Sequence, residues 1–213
     1  MEREEAISRI SNLIGRDLRP LADGYSVTVW TAPGKKNKGW AGHVIERYLG
    51  MPLSSAQSPN FGSWELKVVP LRRKGNGLVV KETMAITMID PYNVERTPFE
   101  ESHLLIKLRR MVVVARIFES QEENRSEVYS VAAFDLNETR IVHQVRQDYE
   151  DVRQVILTQG PSALSGRMGV LVQPRTKGAG HGSTSRAFYA RVAFVSHIVG
   201  IKKWGTNNEG TAP

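Results

Sequence analysis

The chain contains no cysteine. Disulfides, thiolate metal sites and cysteine nucleophiles are thereby excluded, and a reducing compartment is compatible with the composition. Long apolar runs are missing too. No stretch approaches the roughly 18 residues that a membrane span needs. The opening MEREEAISRI is charged and amphipathic, without a signal-peptide core. The expectation is a cytoplasmic protein with no membrane partner. His43, His103, His143, His181 and His197 show no HExxH or other metal-ligand spacing. Acidic residues are the scarcer charge: 22 Asp and Glu against 29 Lys and Arg leave a formal net charge of +7. That excess favours a polyanionic partner such as nucleic acid, without requiring one.

What is present suits a mixed α/β fold. The 213 residues, 40% of them hydrophobic, suffice to bury a substantial core. Residues 1–204 are expected to form one domain, and 205–213, GTNNEGTAP, a disordered tail. Ala6, Ile7, Ile10, Leu13 and Ile14 predict a helix over 3–15, and 16–38 reads as a loop ending in GKKNKG. GWAGHVIERYLG predicts a second helix, with Trp40, Val44, Ile45, Tyr48 and Leu49 on one side and Glu46 on the opposite, polar side. Residues 62–70 alternate as a strand, RRKGNG reads as a hairpin turn into a second strand, LVVKETMAITMI, and DPYN as another turn. Strands are predicted at 110–117, 127–134 and GVLVQP, and a long helix at 137–158 capped by Asn137 or Asp135. TKGAGHGSTS reads as a loop, and AFYARVAFVSHIVG as a strand or helix closing the domain. Trp40 and Trp64 are expected in the core.

The stretch SPNFGSWELK carries the chemistry. Phosphodiester hydrolysis is slow because negative oxygens shield the phosphorus, and Mg²⁺ commonly neutralises that charge and activates a water. Mg²⁺ takes hard oxygen ligands, so convergent carboxylates are needed. A lysine beside them holds the water or stabilises the charged transition state. Glu65-Leu66-Lys67 puts a carboxylate and an ammonium on one face of a strand. Asn60 precedes it at a turn, and Glu46 offers a second carboxylate. An acid-x-Lys triplet alone is unspecific, and on most strands it is a solvated face.

The ordered set is more specific. KGWAGHVIERYLG followed by NFGSWELKVVP resembles the core of the family that joins the mismatch-repair endonuclease MutH and the restriction endonuclease Sau3AI. The likeness continues through HLLIKLRRMVVVAR, QDYEDVRQVILTQG, GVLVQPRTKG and AFYARVAFVSHIV, in the family's order. It implies a PD-(D/E)xK restriction-endonuclease-like fold: a central mixed sheet flanked by helices, with double-stranded DNA in a cleft. By matching position, Glu46 resembles the helix acid, Glu65 the metal-binding acid, Lys67 the catalytic lysine and Lys107 the additional active-site lysine. Lys38 and Gly39 match the pair that approaches DNA. Gln173, Pro174 and Arg175 match the base-reading loop, and Tyr189 the aromatic that lies near the sensed adenine in the mismatch-repair branch.

Two departures stand out. Asn60 occupies the place of the family's Asp, so one Mg²⁺ ligand loses its charge. Weak metal binding and reduced cleavage are expected. Gln173 replaces a base-reading Arg. Arg matches guanine O6 and N7, whereas Gln matches adenine N6 and N7. Arg175 is the alternative guanine reader. The second departure tilts the expectation towards a Mg²⁺-dependent type II restriction endonuclease leaving 5′-phosphate ends, acting as a monomer or homodimer. The alternatives are a mismatch-repair nicking endonuclease with a MutL-like partner, and a binding module without catalysis.

Overall fold

The computed structural model describes residues 1–32, 34–51, 61–177 and 185–205. Asn60, His181, the Gly178–Gly182 loop and the predicted tail from 206 onward lie outside the described residues. The architecture is a mixed α/β fold built on a four-stranded sheet flanked by helices. β3 (Glu65–Lys74) and β6 (Arg110–Ile117) form its centre, flanked by β4 (Gly77–Val80) and β7 (Val128–Asp135) in the order β4-β3-β6-β7. β3 and β6 run parallel, in the register Glu65↔Met111 to Leu71↔Ile117, while both outer pairings are antiparallel. A strand buried on both faces needs apolar residues without alternation, which is what RMVVVARI supplies.

Each face of this sheet has its own core. Leu66, Val112, Val114 and Val128 pack against α1 (Arg3–Ser11), α2 (Leu18–Gly24) and α3 (Trp40–Tyr48). Val69, Leu71, Met111, Val113 and Ala115 face the other way. There they meet α5 (His103–Leu108), the long α6 (Thr139–Gln159) and α7 (Val192–Ile198). A three-stranded antiparallel sheet joins that second side, with β9 (Arg186–Ala190) between β5 (Met84–Ile89) and β8 (Val172–Thr176). Trp40 and Trp64 are fully buried, as expected.

Several local expectations need correction. LVVKETMAITMI is not one strand: it breaks at 81–83, and its halves, β4 and β5, join different sheets. DPYN starts α4 (Pro91–Arg96), where the Asp90 carboxylate accepts from Tyr92 N at 3.1 Å and Pro91 holds the first helical position. The 16–38 loop contains α2, capped by Asp17, and a small hairpin of β1 (Trp30–Ala32) and β2 (Lys35–Lys36). The N-cap of α6 is Glu138, not Asn137 or Asp135, and Asp135 is instead held by a two-pronged bond from Arg3. AFYARVAFVSHIVG is both a strand and a helix. No helix among the described residues is long and apolar enough to cross a membrane.

Candidate active site and DNA-reading strand

A tight turn delivers the chain into β3. Phe61 N donates to Trp64 O at 3.1 Å, the two rings stack with centroids 4.0 Å apart, and Gly62 supplies a φ of 75°. Glu65 follows at once and is fully buried. The triplet is therefore no solvated face. Lys67 projects from the same side of β3, with Nζ 2.7 Å from Glu65 Oε1. α5 ends where β6 begins, beside the start of β3, and this brings Lys107 to the same carboxylate: its Nζ donates to Glu65 Oε1 at 3.3 Å. Burial pushes the Lys107 ammonium below its ordinary value; Glu65 opposes that shift, while Lys67 and Lys177 add to it. Lys67 and Lys107, far apart in sequence, thus share one buried carboxylate.

Glu46 sits in the last turn of α3, which packs against β3. The expectation of a polar, outward side is wrong here, because Glu46 is only 8% exposed. A helix buried on nearly all sides overrides the one-sided pattern read from its apolar residues. Lys38 and Gly39 lie exposed at the entrance to α3. Asn37 shapes that entrance by accepting from Gly39 N at 3.1 Å and donating to Thr28 O at 2.9 Å. A side chain at Gly39 would crowd the His43 ring, whose pKa burial lowers.

Gln173, Pro174 and Arg175 form the middle of β8, and Gln173 pairs across the ladder with Tyr189 of β9. Gln173 is buried and Arg175 is exposed. Arg175 lies over the Tyr189 ring at 5.7 Å and donates to Thr83 Oγ1 at 2.8 Å, just before β5. Burial raises the Tyr189 hydroxyl above the ordinary tyrosine range. Thr83, and Lys177 just after β8, were not singled out from the sequence, and only the folding of distant segments gives them their neighbours.

Known proteins similar to this chain point to the same chemistry. A family model for the DNA mismatch repair enzyme MutH matches residues 49–148. DNA mismatch repair protein MutH of Shewanella woodyi is 26% identical over 215 aligned residues, covering 92% of this chain and 90% of its own length. Its counterpart from Vibrio parahaemolyticus is 28% identical over 92% of both chains. That from Haemophilus ducreyi is 26% identical over 92% of both. These matches support a place in the MutH/Sau3AI family of endonucleases. The family model spans positions 60, 65, 67 and 107, and stops short of β8. The full-length MutH relatives align over nearly the whole chain, and their names favour the mismatch-repair alternative over the restriction reading drawn from Gln173.

Proposed function

We propose that this protein is a divalent-metal-dependent endonuclease acting on double-stranded DNA, of the strand-nicking MutH kind. The observation that carries the reading is the buried Glu65 carboxylate with Lys67 and Lys107 both on Oε1. A dry carboxylate flanked by ammonium groups is costly to maintain as a structural feature, and it is the arrangement that phosphoryl chemistry uses. The relatives named for mismatch repair along 92% of the chain support the nicking role.

Glu65, Glu46 and the Asn60 amide oxygen are hard oxygen donors and fit Mg²⁺ in type. Among the described residues no three His, Cys, Asp or Glu side chains cluster as a metal site. The resemblance implies a further oxygen from position 60, which lies outside them. A bound Mg²⁺ would supply charge neutralisation at the phosphate and a more acidic water. The chain's own contribution is different. Lys67 orients or deprotonates the attacking water. Lys107, held against Glu65, balances that carboxylate and stabilises charge on the phosphate. Arg175 and Gln173 on β8 face the bases, and Lys38 and Gly39 approach the backbone.

A second reading, a type II restriction endonuclease, draws on Gln173, which departs from the family's guanine-reading Arg. One experiment addresses both. Supercoiled plasmid carrying all short sequences is incubated with the Asn60 protein and with Asn60→Asp across a Mg²⁺ titration, with EDTA as control. Restoring the carboxylate is expected to raise cleavage strongly, with nicked circles preceding linear product. Linear product without a nicked precursor would favour the restriction reading. Inactivity of both forms would leave a binding module, and equal activity would remove position 60 from the metal site.

A further inference from the structure

Asp148 is a carboxylate on α6 that no step above uses. It is 1% exposed and accepts four hydrogen bonds. Oδ2 takes Leu171 N and Val172 N, each at 2.7 Å; Oδ1 takes Val170 N at 2.8 Å and Gln144 Nε2 at 3.0 Å. Three successive backbone N–H groups therefore converge on one side chain, at the residues that lead into β8. Arg191, just after β9, grips the other side of the same loop. Its guanidinium donates to the carbonyls of Gly166, Arg167, Met168 and Gly169 at 2.8–3.2 Å. Gly169 sits between the two grips at φ 72°. A Cβ there would collide with the Val172 carbonyl and crowd Asp148, so the loop's close approach to the carboxylate needs glycine.

We infer that Asp148, with Arg191, is a positioning residue for DNA reading: the clamp fixes where β8 presents Gln173 and Arg175. The inference rests on the proposed base-reading role of β8. An apolar anchor could hold the loop near α6, but it would leave the buried N–H groups of Leu171 and Val172 unsatisfied and the strand's register loosely set. Four bonds to carbonyls and three from the loop's backbone to a carboxylate determine position and orientation together, one residue before Gln173. A base contact tolerates little misplacement, so a strand displaced by a fraction of an ångström keeps its phosphate contacts and loses its discrimination.

The test is a binding selection in EDTA, so that cleavage does not intervene. The probe is a duplex library with a randomised central segment, and the bound fraction is sequenced. Affinity for one fixed duplex and thermal melting are measured in parallel. Gln173→Ala and Arg175→Ala serve as reference variants on the strand itself. Asp148→Asn and the milder, partly exposed Arg191→Gln are expected to flatten preference at the same base pairs as the reference variants, by about tenfold. Affinity for the fixed duplex should stay within about twofold. If melting falls but the profile stays sharp, the clamp is structural only and the inference is overturned. Should Asp148→Asn not fold, the Arg191→Gln profile decides by the same criterion. A profile that neither reference variant alters would instead remove β8 as the reading strand, a distinct failure that takes the inference with it.

Discussion

Two carboxylates lie buried at opposite ends of the β3–β6 pair, each beside two cations, and they are built differently. At the C-terminal end, Arg116 forks onto Glu123, with Nη1 2.6 Å from Oε2 and Nη2 3.0 Å from Oε1. Lys36 closes on Oε1, and Ser126 Oγ accepts from Arg116 at 2.7 Å. At the N-terminal end, Lys67 and Lys107 both meet Oε1 of Glu65. A guanidinium is permanently charged and its fork fixes geometry, whereas an ammonium is a point charge whose pKa moves on burial. Lys107 shows that movement, and no arginine could. The Arg116 end is a joint: it ties β2 and the loop before α3 to the sheet. The Glu65 end is a charge cluster whose cations suit exchange of partners with a phosphate or a metal ion.

The sharpest way to break this comparison is Lys67→Ala. If the Glu65 end serves chemistry, cleavage should fall about 10²–10⁴-fold, the usual loss for a proton-handling group. DNA binding and melting temperature should stay near those of the parent. The assay is done in an Asn60→Asp background, so that there is activity to lose. Near-normal turnover would reduce Glu65–Lys67 to a second structural pair.

The converse change is Glu123→Gln, which should cost stability and spare chemistry. Removing one partner of a buried pair leaves an uncompensated charge, here Arg116, at about 3–5 kcal/mol. Urea denaturation measures the loss, and cleavage per folded molecule should be retained. Acid sharpens the contrast. Burial alone would raise the Glu123 pKa, but the bonds from Arg116 and Lys36 outweigh it and hold the group below the ordinary range. A depressed carboxylate stabilises the fold above its unfolded pKa, and that stabilisation is lost as pH falls towards the lowered folded value. The parent should thus lose stability below the ordinary glutamate range more steeply than Glu123→Gln does. Equal slopes would mean that the joint contributes nothing to acid unfolding.

The same contrast explains what the sequence disclosed. β6 and α6 were legible because burial on both faces, or on one helical face, writes its own periodicity into RMVVVARI and into Ile141, Val145, Tyr149, Val152 and Ile156. Glu65 and Lys67 were legible because two residues on one strand have a fixed spacing. Lys107 was reachable only through the family's order of motifs, since a parallel pairing with β6 brings it to Glu65. The Arg116–Glu123 joint went unnoticed: nothing in ESQEENRSE distinguishes a buried glutamate from its exposed neighbours. Glu123 takes φ 51°, so its turn folds the carboxylate inward against any local pattern. Lys81-Glu82-Thr83 misled for the opposite reason. A polar tripeptide inside an apolar run reads as a strand's outer face, and only the packing of two sheets reveals it as a crossing point.

A smaller effect is expected on β8, where Gln173 and Arg175 compare a buried with an exposed candidate reader. Whichever one contacts a base should, as alanine, lose about 1–3 kcal/mol of discrimination at one base pair without changing the chemistry. Arg175→Ala also frees Thr83 and the Tyr189 ring. Sequencing cleavage sites from Asn60→Asp proteins carrying each change assigns the contact. Two unchanged profiles would move base reading off this strand.

The smallest effect separates Lys36, at the end of β2, from the exposed Lys38 beyond it. Lys36 is spent on Glu123, between the Phe118 and Trp30 rings, whereas Lys38, two residues on, is exposed at the entrance to α3. A lysine that neutralises a DNA phosphate displaces a condensed counterion, so each such contact adds about −0.9 to the slope of log affinity against log salt. Lys38→Ala should therefore make that slope shallower by about one contact, with melting unchanged. The joint keeps the loop in place whether or not Lys38 is charged. Lys36→Ala should do the reverse: its charge already faces Glu123, so melting falls while the slope moves only as far as the loosened loop lets Lys38 drift. Binding isotherms at four salt concentrations, on one fixed duplex in EDTA, give both slopes. If Lys36→Ala changes the slope as much as Lys38→Ala and leaves melting alone, the loop lysines are interchangeable phosphate contacts and the joint is not what holds them.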